Sequence, residues 1–283
     1  MIRVALQAKG RLNEDSLQLF KDAGIRFDNA KRKLLSKSDC FPVEALYLRD
    51  DDIPFAVSSG VADVGIVGEN ELYEKGFDVE VVQKLGWGKC RISLAIPKSE
   101  EYSDVSWFEG KRVATSYPKI LKKFFAENNI NAKIEEIAGS VEISPAVGIA
   151  DAIFDIVSSG STLVSNGLKE VEVVMKSQAV LIATPTISDE KRALLNQLKF
   201  RFESVLCSQG KKYLLFNIPN EKINDAIEIV PSMKSPTLLP LANNEWSSIH
   251  VVVDENLVWQ KIEQLKSIGA EGILVLSLEM MIP

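Results

Sequence analysis

The pattern of apolar and polar residues over the first two thirds of the chain predicts short strands that alternate with helices. Residues 2–7 and 44–48 are rich in apolar side chains and typical of strands, whereas apolar residues recur at helical spacing over residues 12–20. Residues 63–67 predict a short buried strand that ends before Gly68. This alternation favours mostly parallel sheets with helices packed on their faces.

A second cycle of the same kind follows a turn-rich stretch near residues 97–106. There, GKRVATSYP predicts a strand that leads into a helix, and AIFDIV predicts a strand that leads into a loop of small hydroxyl residues. Residues 210–283 have a different order, strand–helix–strand–strand–helix–strand, which is the ferredoxin-like arrangement. This last segment is therefore expected to form a separate unit.

Composition narrows the classes of protein that fit this pattern. The 283 residues include 33 basic and 39 acidic side chains, and the net charge of −6 without a basic block argues against nucleic acid as the main partner. The three cysteines (Cys40, Cys90 and Cys207) are far apart and His250 is the only histidine, which argues against a disulfide framework or a zinc cluster. No segment resembles a membrane span or a signal peptide, so a cytoplasmic location without membrane contact is expected.

The most informative stretch is DAIFDIVSSGST, residues 151–162. An apolar strand ends near Val157, and a loop of hydroxyl residues around Gly160 precedes a predicted helix. Backbone N–H groups and hydroxyls at such a junction favour a phosphate, and Asp155 is placed to accept hydrogen bonds from ribose hydroxyls. The absence of a GK[ST] lysine excludes a Walker-type loop. The alternative is an ordinary strand–turn–helix junction capped by serines.

Charged residues follow several other predicted strands. Lys9 and Arg11 come directly after the first strand, where two cations suit a polyanion such as a pyrophosphate. Arg49–Asp52 follow another strand, and their carboxylates suit either a magnesium-bound substrate or an acidic helix start. Glu69 and Asn70 are suited to hydrogen-bond a base or a ribose, and Arg91 is placed to supply a second guanidinium to the same cleft. Each of these signals alone also fits an ordinary surface residue.

Together these stretches resemble the long, self-regulated form of ATP phosphoribosyltransferase, the family that catalyses the first step of histidine biosynthesis. The resemblance covers nearly the whole chain, and its specificity comes from the order of the stretches at this length. They are LQAKGRL (6–12), LRDDDIP (48–54), ADVGIVGEN (62–70), GKCRISLA (88–95), GKRVATSYP (110–118), GSVEISP (139–145), ADAIFDIVSSGSTLVSNGLKEVEVV (150–174), SPTLLPLA (235–242) and GAEGILVLSLE (269–279).

The resemblance implies an α/β fold with a two-lobed catalytic part, like a periplasmic binding protein, and a C-terminal ferredoxin-like (ACT-like) βαββαβ domain. Residues 1–97 and 183–209 would form catalytic lobe I. Residues 98–182 would form catalytic lobe II, and residues 210–283 the regulatory domain.

The implied reaction moves the 5-phosphoribosyl group of 5-phosphoribosyl 1-diphosphate (PRPP) to N1 of the adenine of ATP and releases pyrophosphate. This is a pentosyl transfer, so the enzyme would be a glycosyltransferase. Mg²⁺ is expected to travel with the substrate phosphates. The matching positions imply Lys9, Arg11, Arg49 and Arg91 as catalytic residues, Asp151, Asp155, Ser158, Ser159, Gly160, Ser161 and Thr162 as PRPP ligands, and Asp50, Glu69, Asn70 and Glu142 as ATP ligands.

The resemblance also implies feedback inhibition by L-histidine. Thr237 is the best match to the effector pocket, and Asn217 stands where some members have an acidic residue that pairs with the effector. The implied assembly is a homo-oligomer, from dimer to hexamer. No separate regulatory subunit is expected, because this chain has the C-terminal domain.

Three alternatives remain open at this level. A two-lobed small-molecule binding protein without catalysis would share the fold. A phosphoribosyltransferase with another nitrogen nucleophile would share the chemistry, and an inactive relative would keep only a regulatory role. A binding protein would not need Lys9 and Arg11 opposite a hydroxyl loop, which favours the enzyme.

Overall fold

The computed structural model describes residues 1–28, 34–232 and 235–282. They divide into two compact units, Met1–Leu198 and Lys199–Pro283. Within the described ranges, no helix is both long and apolar enough to cross a bilayer. The strands are β1 (Ile2–Gln7), β2 (Leu35–Lys37), β3 (Val43–Leu48), β4 (Val64–Gly68), β5 (Glu80–Lys84), β6 (Cys90–Pro97), β7 (Arg112–Thr115), β8 (Lys133–Glu136), β9 (Ala152–Val157), β10 (Leu168–Ser177), β11 (Ala179–Ala183), β12 (Lys211–Pro219), β13 (Thr237–Pro240), β14 (Trp246–Asp254) and β15 (Glu271–Ser277). The α-helices are α1 (Arg11–Asp22), α2 (Ile53–Ser58), α3 (Glu69–Lys75), α4 (Pro118–Glu127), α5 (Ser161–Ser165), α6 (Asp189–Ser208), α7 (Ile223–Ile229) and α8 (Val258–Ser267).

The first unit contains two sheets. The first sheet has the strand order β2-β3-β1-β4-β11-β5, with β1 parallel to β3 and β4 and with β11 antiparallel to β4 and β5. Val4, Val64 and Ile182 are fully buried, as expected for central strands covered on both faces. The predicted strands at residues 2–7, 44–48 and 63–67 and the helix at residues 12–20 are confirmed. Because β1, β3 and β4 are parallel, the loops that follow them emerge at one edge.

The second sheet has the strand order β10-β6-β9-β7-β8. β9 is parallel to β7 and antiparallel to β6, so the loops after β7 and β9 also emerge at one edge. Phe108, Phe125 and Phe154 form the centre of its core, and helix α4 buries Leu121 against the same cluster. This sheet therefore presents two adjacent loops, the one before α4 and the one before α5, at the same end.

The chain passes between the two sheets twice, at residues 85–89 and at Gln178. These two connections are hydrogen-bonded to each other. The Leu85 N–H donates to the Ala179 carbonyl at 3.0 Å, and the Ala179 N–H donates to the Trp87 carbonyl at 2.9 Å. We call residues 1–89 with 178–198 the first lobe, and residues 90–177 the second lobe.

The predicted lobe boundaries at residues 97 and 183 differ from these sheet boundaries. Strand β6 pairs with β9 and β10, so the second lobe begins near residue 90. Strand β11 pairs with β4 and β5, so the chain has returned to the first sheet by residue 179. The apolar stretch VEVVMKSQAVLIATP is continuous in sequence but is divided between β10 and β11 in different sheets.

The second unit has the predicted βαββαβ order, which is confirmed by β12, α7, β13, β14, α8 and β15. Its four strands form an antiparallel sheet in the order β13-β14-β12-β15. Leu214, Phe216 and Ile218 alternate along β12 and are fully buried in the core beneath the two helices. The intervening residues of β12 lie on the opposite, open face.

This unit begins inside α6, at Lys199, rather than at the predicted residue 210. The end of α6 is bound to the C-terminal segment. The Met281 N–H donates to the Ser204 carbonyl at 2.8 Å, and the Ser208 hydroxyl donates to the Glu279 carbonyl at 3.2 Å. The boundary between the two compact units therefore lies within residues 183–209, which were expected to belong to lobe I.

Candidate active site

A cleft of about 470 Å³ lies where the strand ends of the two lobes face each other. The loops after β1, β3 and β4 line it from the first lobe, and the ends of β7 and β9 line it from the second. This is the edge at which ligands bind in open α/β sheets. The lining residues with the most informative chemistry are Arg11, Asp50, Asn70, Glu71, Lys89, Tyr117 and Ser158.

The loop Ser158–Thr162, here called the hydroxyl loop, joins β9 to α5 as predicted. Gly160 has φ of +82°, a left-handed conformation that other residues rarely adopt. The hydroxyls of Ser159 and Ser161 lie 3.0 Å apart, and both side chains are exposed. Because α5 has only five residues, the loop's N–H groups and hydroxyls, rather than a helix dipole, determine what it binds.

Arg91 holds the hydroxyl loop in place. Its guanidinium donates to both carboxylate oxygens of Glu170, at 2.5 and 2.6 Å, and to the Ser158 carbonyl at 2.9 Å. The hydrogen bonds from Arg91, helped by a hydroxyl hydrogen bond from Ser93, keep the pKa of Glu170 below its usual range. The charge of Arg91 is therefore balanced within the second lobe.

The predicted cations of the first lobe are more exposed than Arg91. Lys9 and Arg11 are exposed, and the described parts of the chain offer neither of them a hydrogen bond or an ion pair. Arg11 lines the cleft, whereas Lys9 does not. Arg49 lies at the same sheet edge with its side chain 81% exposed, and its Nε is 3.4 Å from Asp51 Oδ1. Asp50 lines the cleft.

The two predicted ribose ligands, Asp151 and Asp155, lie at opposite ends of β9. Burial raises the pKa of Asp155, a hydrogen bond from the Ile156 N–H lowers it, and the negative charge of Glu142 raises it, with a net value of about 6. Asp151 is instead bound by Arg112, whose guanidinium donates to it at 2.9 Å. Four residues of strand separate the two carboxylates by roughly 13 Å. The structure therefore brings Asp155 to the hydroxyl loop and leaves Asp151 away from it.

A buried polar network joins the lobes beside the cleft. The Ser177 hydroxyl donates to Asn70 Oδ1 at 2.8 Å, and Asn70 Nδ2 donates to Glu71 Oε1 at 3.1 Å and to the Tyr117 hydroxyl at 3.3 Å. A Cβ on Gly68 would lie 2.4 Å from Asn70 Oδ1, so only glycine leaves room for this side chain. Asn70 thus connects α3 of the first lobe to β10 and to the residue before α4 in the second lobe.

The acidic residues of α3 point in three directions. Glu69, a predicted ATP ligand, is 3.0 Å from Lys84 and lines two neighbouring cavities rather than the cleft. Glu74 is buried and accepts hydrogen bonds from the backbone N–H groups of Lys119 and Ile120 at the start of α4. Glu71 alone of the three lines the cleft. Sequence reasoning missed both residues as site residues, although Glu71 directly follows the selected stretch 62–70 and Tyr117 lies within the selected stretch 110–118.

Burial raises the pKa of Glu71 to about 7, with a contribution from the negative charge of Asp50. Burial, followed by the negative charges of Glu71, Asp155 and Asp50, raises the pKa of the Tyr117 hydroxyl. Tyr117 therefore lies among carboxylates from both lobes and stays protonated, so it acts as a hydrogen-bond donor. Among the described residues, no group of three or more His, Cys, Asp or Glu side chains is arranged to hold a metal ion.

The two predicted effector residues lie on the open face of the second unit's sheet. Thr237 on β13 is opposite His250 on β14, which is in turn opposite Leu215 on β12. Asn217 lies two residues further along β12, on the same face. His250 is fixed by the Tyr213 hydroxyl at 2.8 Å and lies between the two predicted residues.

Comparison with known proteins identifies the family. The profile described as HisG, ATP phosphoribosyltransferase, matches residues 49–204, and that of the HisG C-terminal domain matches residues 208–280. Proteins named ATP phosphoribosyltransferase from Phocaeicola vulgatus and Bacteroides thetaiotaomicron are 57% and 56% identical over 282 residues, covering 100% of each chain. The solved structure of an ATP phosphoribosyl transferase (HisG:HisZ) complex from Thermotoga maritima aligns with a TM-score of 0.61 at 26% identity, covering 72% of this chain and 99% of that one. The predicted fold class is confirmed, and the chain belongs to the ATP phosphoribosyltransferase family in its long form.

Proposed function

We propose that this chain joins ATP to PRPP in the cleft, by attack of adenine N1 on the anomeric carbon of the ribose and release of pyrophosphate. The observation that best supports the proposal is that Ser158, the first residue of the hydroxyl loop, and Arg11 line one cleft from opposite lobes. Arg11 is exposed and has no hydrogen-bond or ion-pair partner among the described residues. The reaction is the first step of histidine biosynthesis, and its substrates are those of the family.

The second lobe is proposed to bind PRPP. The N–H groups and hydroxyls of Ser158–Thr162 would surround the 5-phosphate, and Arg91 would keep this loop in position through the Ser158 carbonyl. Asp155 would accept hydrogen bonds from the ribose hydroxyls in its ionised form. Asp151 is left out of this proposal because Arg112 occupies it at the far end of β9.

The first lobe is proposed to bind the leaving pyrophosphate and the ATP phosphates. Lys9, Arg11 and Arg49 are exposed cations at this edge, and their charge would stabilise the negative charge that develops as the C–O bond breaks. Arg91 is not free for this role because its Nε and Nη2 donate to Glu170 and its Nη1 donates to the Ser158 carbonyl. No covalent nucleophile is required, so positioning of two anionic substrates is the main task of the protein.

Mg²⁺ is proposed to enter with the substrates. Mg²⁺ keeps several waters and prefers substrate phosphates to an all-protein site. When bound to the diphosphate of PRPP, it would neutralise charge on the leaving group. Asp50 is the cleft carboxylate that we propose as an ATP contact, and Glu142 acts through its charge on Asp155. Asn70 is proposed to connect the two lobes, whereas Glu69 is paired with Lys84 of its own lobe.

The second unit is proposed to bind L-histidine and to make feedback inhibition possible. Thr237 and Asn217 lie on one open sheet face, with Tyr213, Ser248 and His250 as polar neighbours. Exposed apolar side chains on its edge strands support assembly into a homo-oligomer, dimer to hexamer. They are Leu238, Leu239, Leu274 and Leu276. Because this chain has its own C-terminal domain, no separate regulatory subunit is proposed.

The enzyme is also proposed to work in the cytoplasm. Phosphate esters such as ATP and PRPP do not cross membranes unaided, so an enzyme that uses both is expected where they are made.

The first experiment measures pyrophosphate release and the adenine ultraviolet change with ATP, PRPP and Mg²⁺. We expect turnover that requires both substrates. Turnover with another nitrogen nucleophile in place of ATP would change the substrate assignment. Tight binding of a small molecule without turnover would instead favour a two-lobed binding protein.

The second experiment adds L-histidine to the wild-type enzyme and to Thr237→Ala. We expect the variant to keep its uninhibited turnover and to need about fivefold more L-histidine for half inhibition, since one lost hydrogen bond is worth about 1 kcal/mol. Thr186→Ala is the matched control, because Thr186 follows β11 at the sheet edge opposite the cleft. Equal inhibition of both variants would contradict the effector assignment.

A further inference from the structure

Glu71 is a buried carboxylate that faces the cleft and has unused hydrogen-bonding capacity. It is 8% exposed and lines the cleft together with Asp50 and Tyr117. It accepts one hydrogen bond from Asn70 Nδ2 and one from the Tyr117 hydroxyl. A carboxylate has about four acceptor sites, so roughly two remain for a donor in the cleft.

The reaction of the proposed function requires such an acceptor. When adenine N1 bonds to the anomeric carbon, its lone pair forms the new N–C bond and the C–O electron pair leaves with pyrophosphate. The adenine ring then has a positive charge until its 6-amino group loses a proton. Loss of that proton lets the N–H electron pair form the C6=N6 double bond of the neutral product.

We propose that Glu71 accepts this proton, and that its carboxylate binds the 6-amino group of ATP before the attack. This inference rests on the proposed function and goes one step further, because it assigns a catalytic residue on the nucleophile's side. The carboxylate becomes a carboxylic acid in the step, and it returns the proton to water after the product leaves. A hydrogen bond from the amino group to Glu71 also makes N1 more nucleophilic before the bond forms.

The position of Glu71 distinguishes it from Asp155 and Asp50. Asp155 lies on the second lobe beside the hydroxyl loop, where the ribose of PRPP is proposed to bind. Glu71 lies on α3 of the first lobe, and Tyr117 is close enough to both to respond to their charges. Glu71, the proposed acceptor for adenine, therefore lies on the lobe opposite Asp155 and the proposed ribose site. Among the described residues, none forms a hydrogen bond that orients the Asp50 side chain, whereas Asn70 and Tyr117 both orient Glu71.

The surroundings of Glu71 suit a group that takes up and releases a proton near neutral pH. Burial and the negative charges of Asp50 and Asp51 raise its pKa, while the positive charge of Lys75 and the Tyr117 hydroxyl lower it, and the result is about 7. A general base is most effective when its pKa is near the working pH. The ionised form is required, so turnover should fall as the pH drops through about 7.

The test compares the pH dependence of kcat in the wild-type enzyme, Glu71→Gln and Glu172→Gln, with saturating ATP, PRPP and Mg²⁺. We expect Glu71→Gln to lose about 10²–10⁴-fold in kcat above pH 8 and to lose the acid limb near pH 7. The acid limb that remains should lie near pH 6, where Asp155 is protonated. Glu172→Gln is the matched control. Glu172 also accepts a tyrosine hydroxyl, that of Tyr102 at 2.7 Å, but it lies on β10 and does not line the cleft.

Tyr117→Phe provides a second readout that does not depend on removal of the carboxylate. Loss of its hydrogen bond to the ionised carboxylate should move the acid limb of kcat to higher pH, with little change in the limiting rate. ATP affinity and the thermal midpoint of each variant show whether the fold is intact. Because glutamine is close in size to glutamate, Glu71→Gln is expected to fold.

The outcomes separate this inference from the proposed function. A wild-type enzyme that does not join ATP to PRPP would reject the proposed function itself. An active wild type with an unchanged acid limb in Glu71→Gln would reject Glu71 as the proton acceptor, even if the rate falls. An unmoved limb in Tyr117→Phe would reject it independently.

Discussion

The two lobes supply different kinds of chemistry to the same cleft. In the first lobe, Lys9 and Arg11 are exposed cations that have no hydrogen-bond or ion-pair partner within the described ranges. In the second lobe, Gly160 sets the backbone of the hydroxyl loop, and Arg91 is bound to Glu170 and to the Ser158 carbonyl. The second lobe therefore has a preformed site, whereas the first lobe has cations that only a bound ligand would pair.

This contrast indicates that the second lobe positions its ligand, whereas the first lobe supplies positive charge. A preformed loop loses little conformational freedom when a phosphate binds, so it can fix the location of PRPP before the reaction. Exposed cations are screened by salt and must be ordered by the ligand. Binding to the second lobe should thus be less sensitive to ionic strength than binding of pyrophosphate to the first.

The largest predicted effect tests whether the hydroxyl loop is truly preformed. Gly160→Val places a β-branched residue at φ of +82°, which strains the backbone and moves the phosphate ligands. We expect kcat/KM for PRPP to fall by about 10²–10³-fold, in steady-state assays. Gly110→Val is the control, because Gly110 has φ of +69° in an open turn outside the cleft. A similar loss in both variants would mean that general strain, not the loop, is responsible.

A smaller effect tests the role of Arg91 as a support for the loop. Arg91→Met removes the hydrogen bond to the Ser158 carbonyl and leaves Glu170 without its partner. We expect KM for PRPP to rise by roughly tenfold with a smaller change in kcat, because the leaving group is not contacted. Arg112→Met breaks a similar pair at the other end of β9 and should leave KM near the wild-type value. A fall in kcat alone would place Arg91 at the pyrophosphate instead.

The smallest effect concerns stability. The pKa of Asp155 is raised in the folded protein, to about 6 from its ordinary 3.8, so folding favours its protonated form. Its stabilising contribution is present below about pH 4 and is lost as the pH rises through 6. Asp155→Asn should therefore raise the thermal midpoint at pH 8 by about 3 °C and leave it unchanged at pH 4, while activity falls. No gain at pH 8 would show that the folded protein stabilises the charge.

The sequence predicted the features of the fold and of the site that depend on local residue patterns. The strands before Lys9, Arg49 and the hydroxyl loop follow from their apolar residues, and charged or hydroxyl residues after strands indicated the cleft. The pattern could not show that VEVVMKSQAVLIATP changes sheets at Gln178, because only this one residue separates the two strands and apolar residues occur on both sides of it. Nor could it separate Asp151 from Asp155, since residues four apart on a strand share a face and only tertiary structure shows which end meets the loop.

Helix α3 shows the same limit most clearly. Glu69, Glu71 and Glu74 are all acidic residues of one short helix, and nothing in their local sequence assigns them different roles. In the folded protein, Glu69 pairs with Lys84, Glu71 lines the cleft, and Glu74 accepts hydrogen bonds from the start of α4. The role of each carboxylate depends on the groups that it contacts, and these groups come from other elements of the chain.

The position of β11 has a consequence for the order in which the protein folds during its synthesis. This strand lies between β4 and β5 in the first sheet, yet it follows every strand of the second sheet in the chain. As the chain leaves the ribosome, the second lobe is complete at Ser177, while β4 still has an open edge and β5 has no neighbour in the first sheet. At roughly 5–20 residues per second, that edge stays unpaired for about 5–20 s after β4 is made. The middle of the sequence is thus able to fold before its beginning, and a nascent chain arrested before residue 179 should expose the edge of β4 to chaperones.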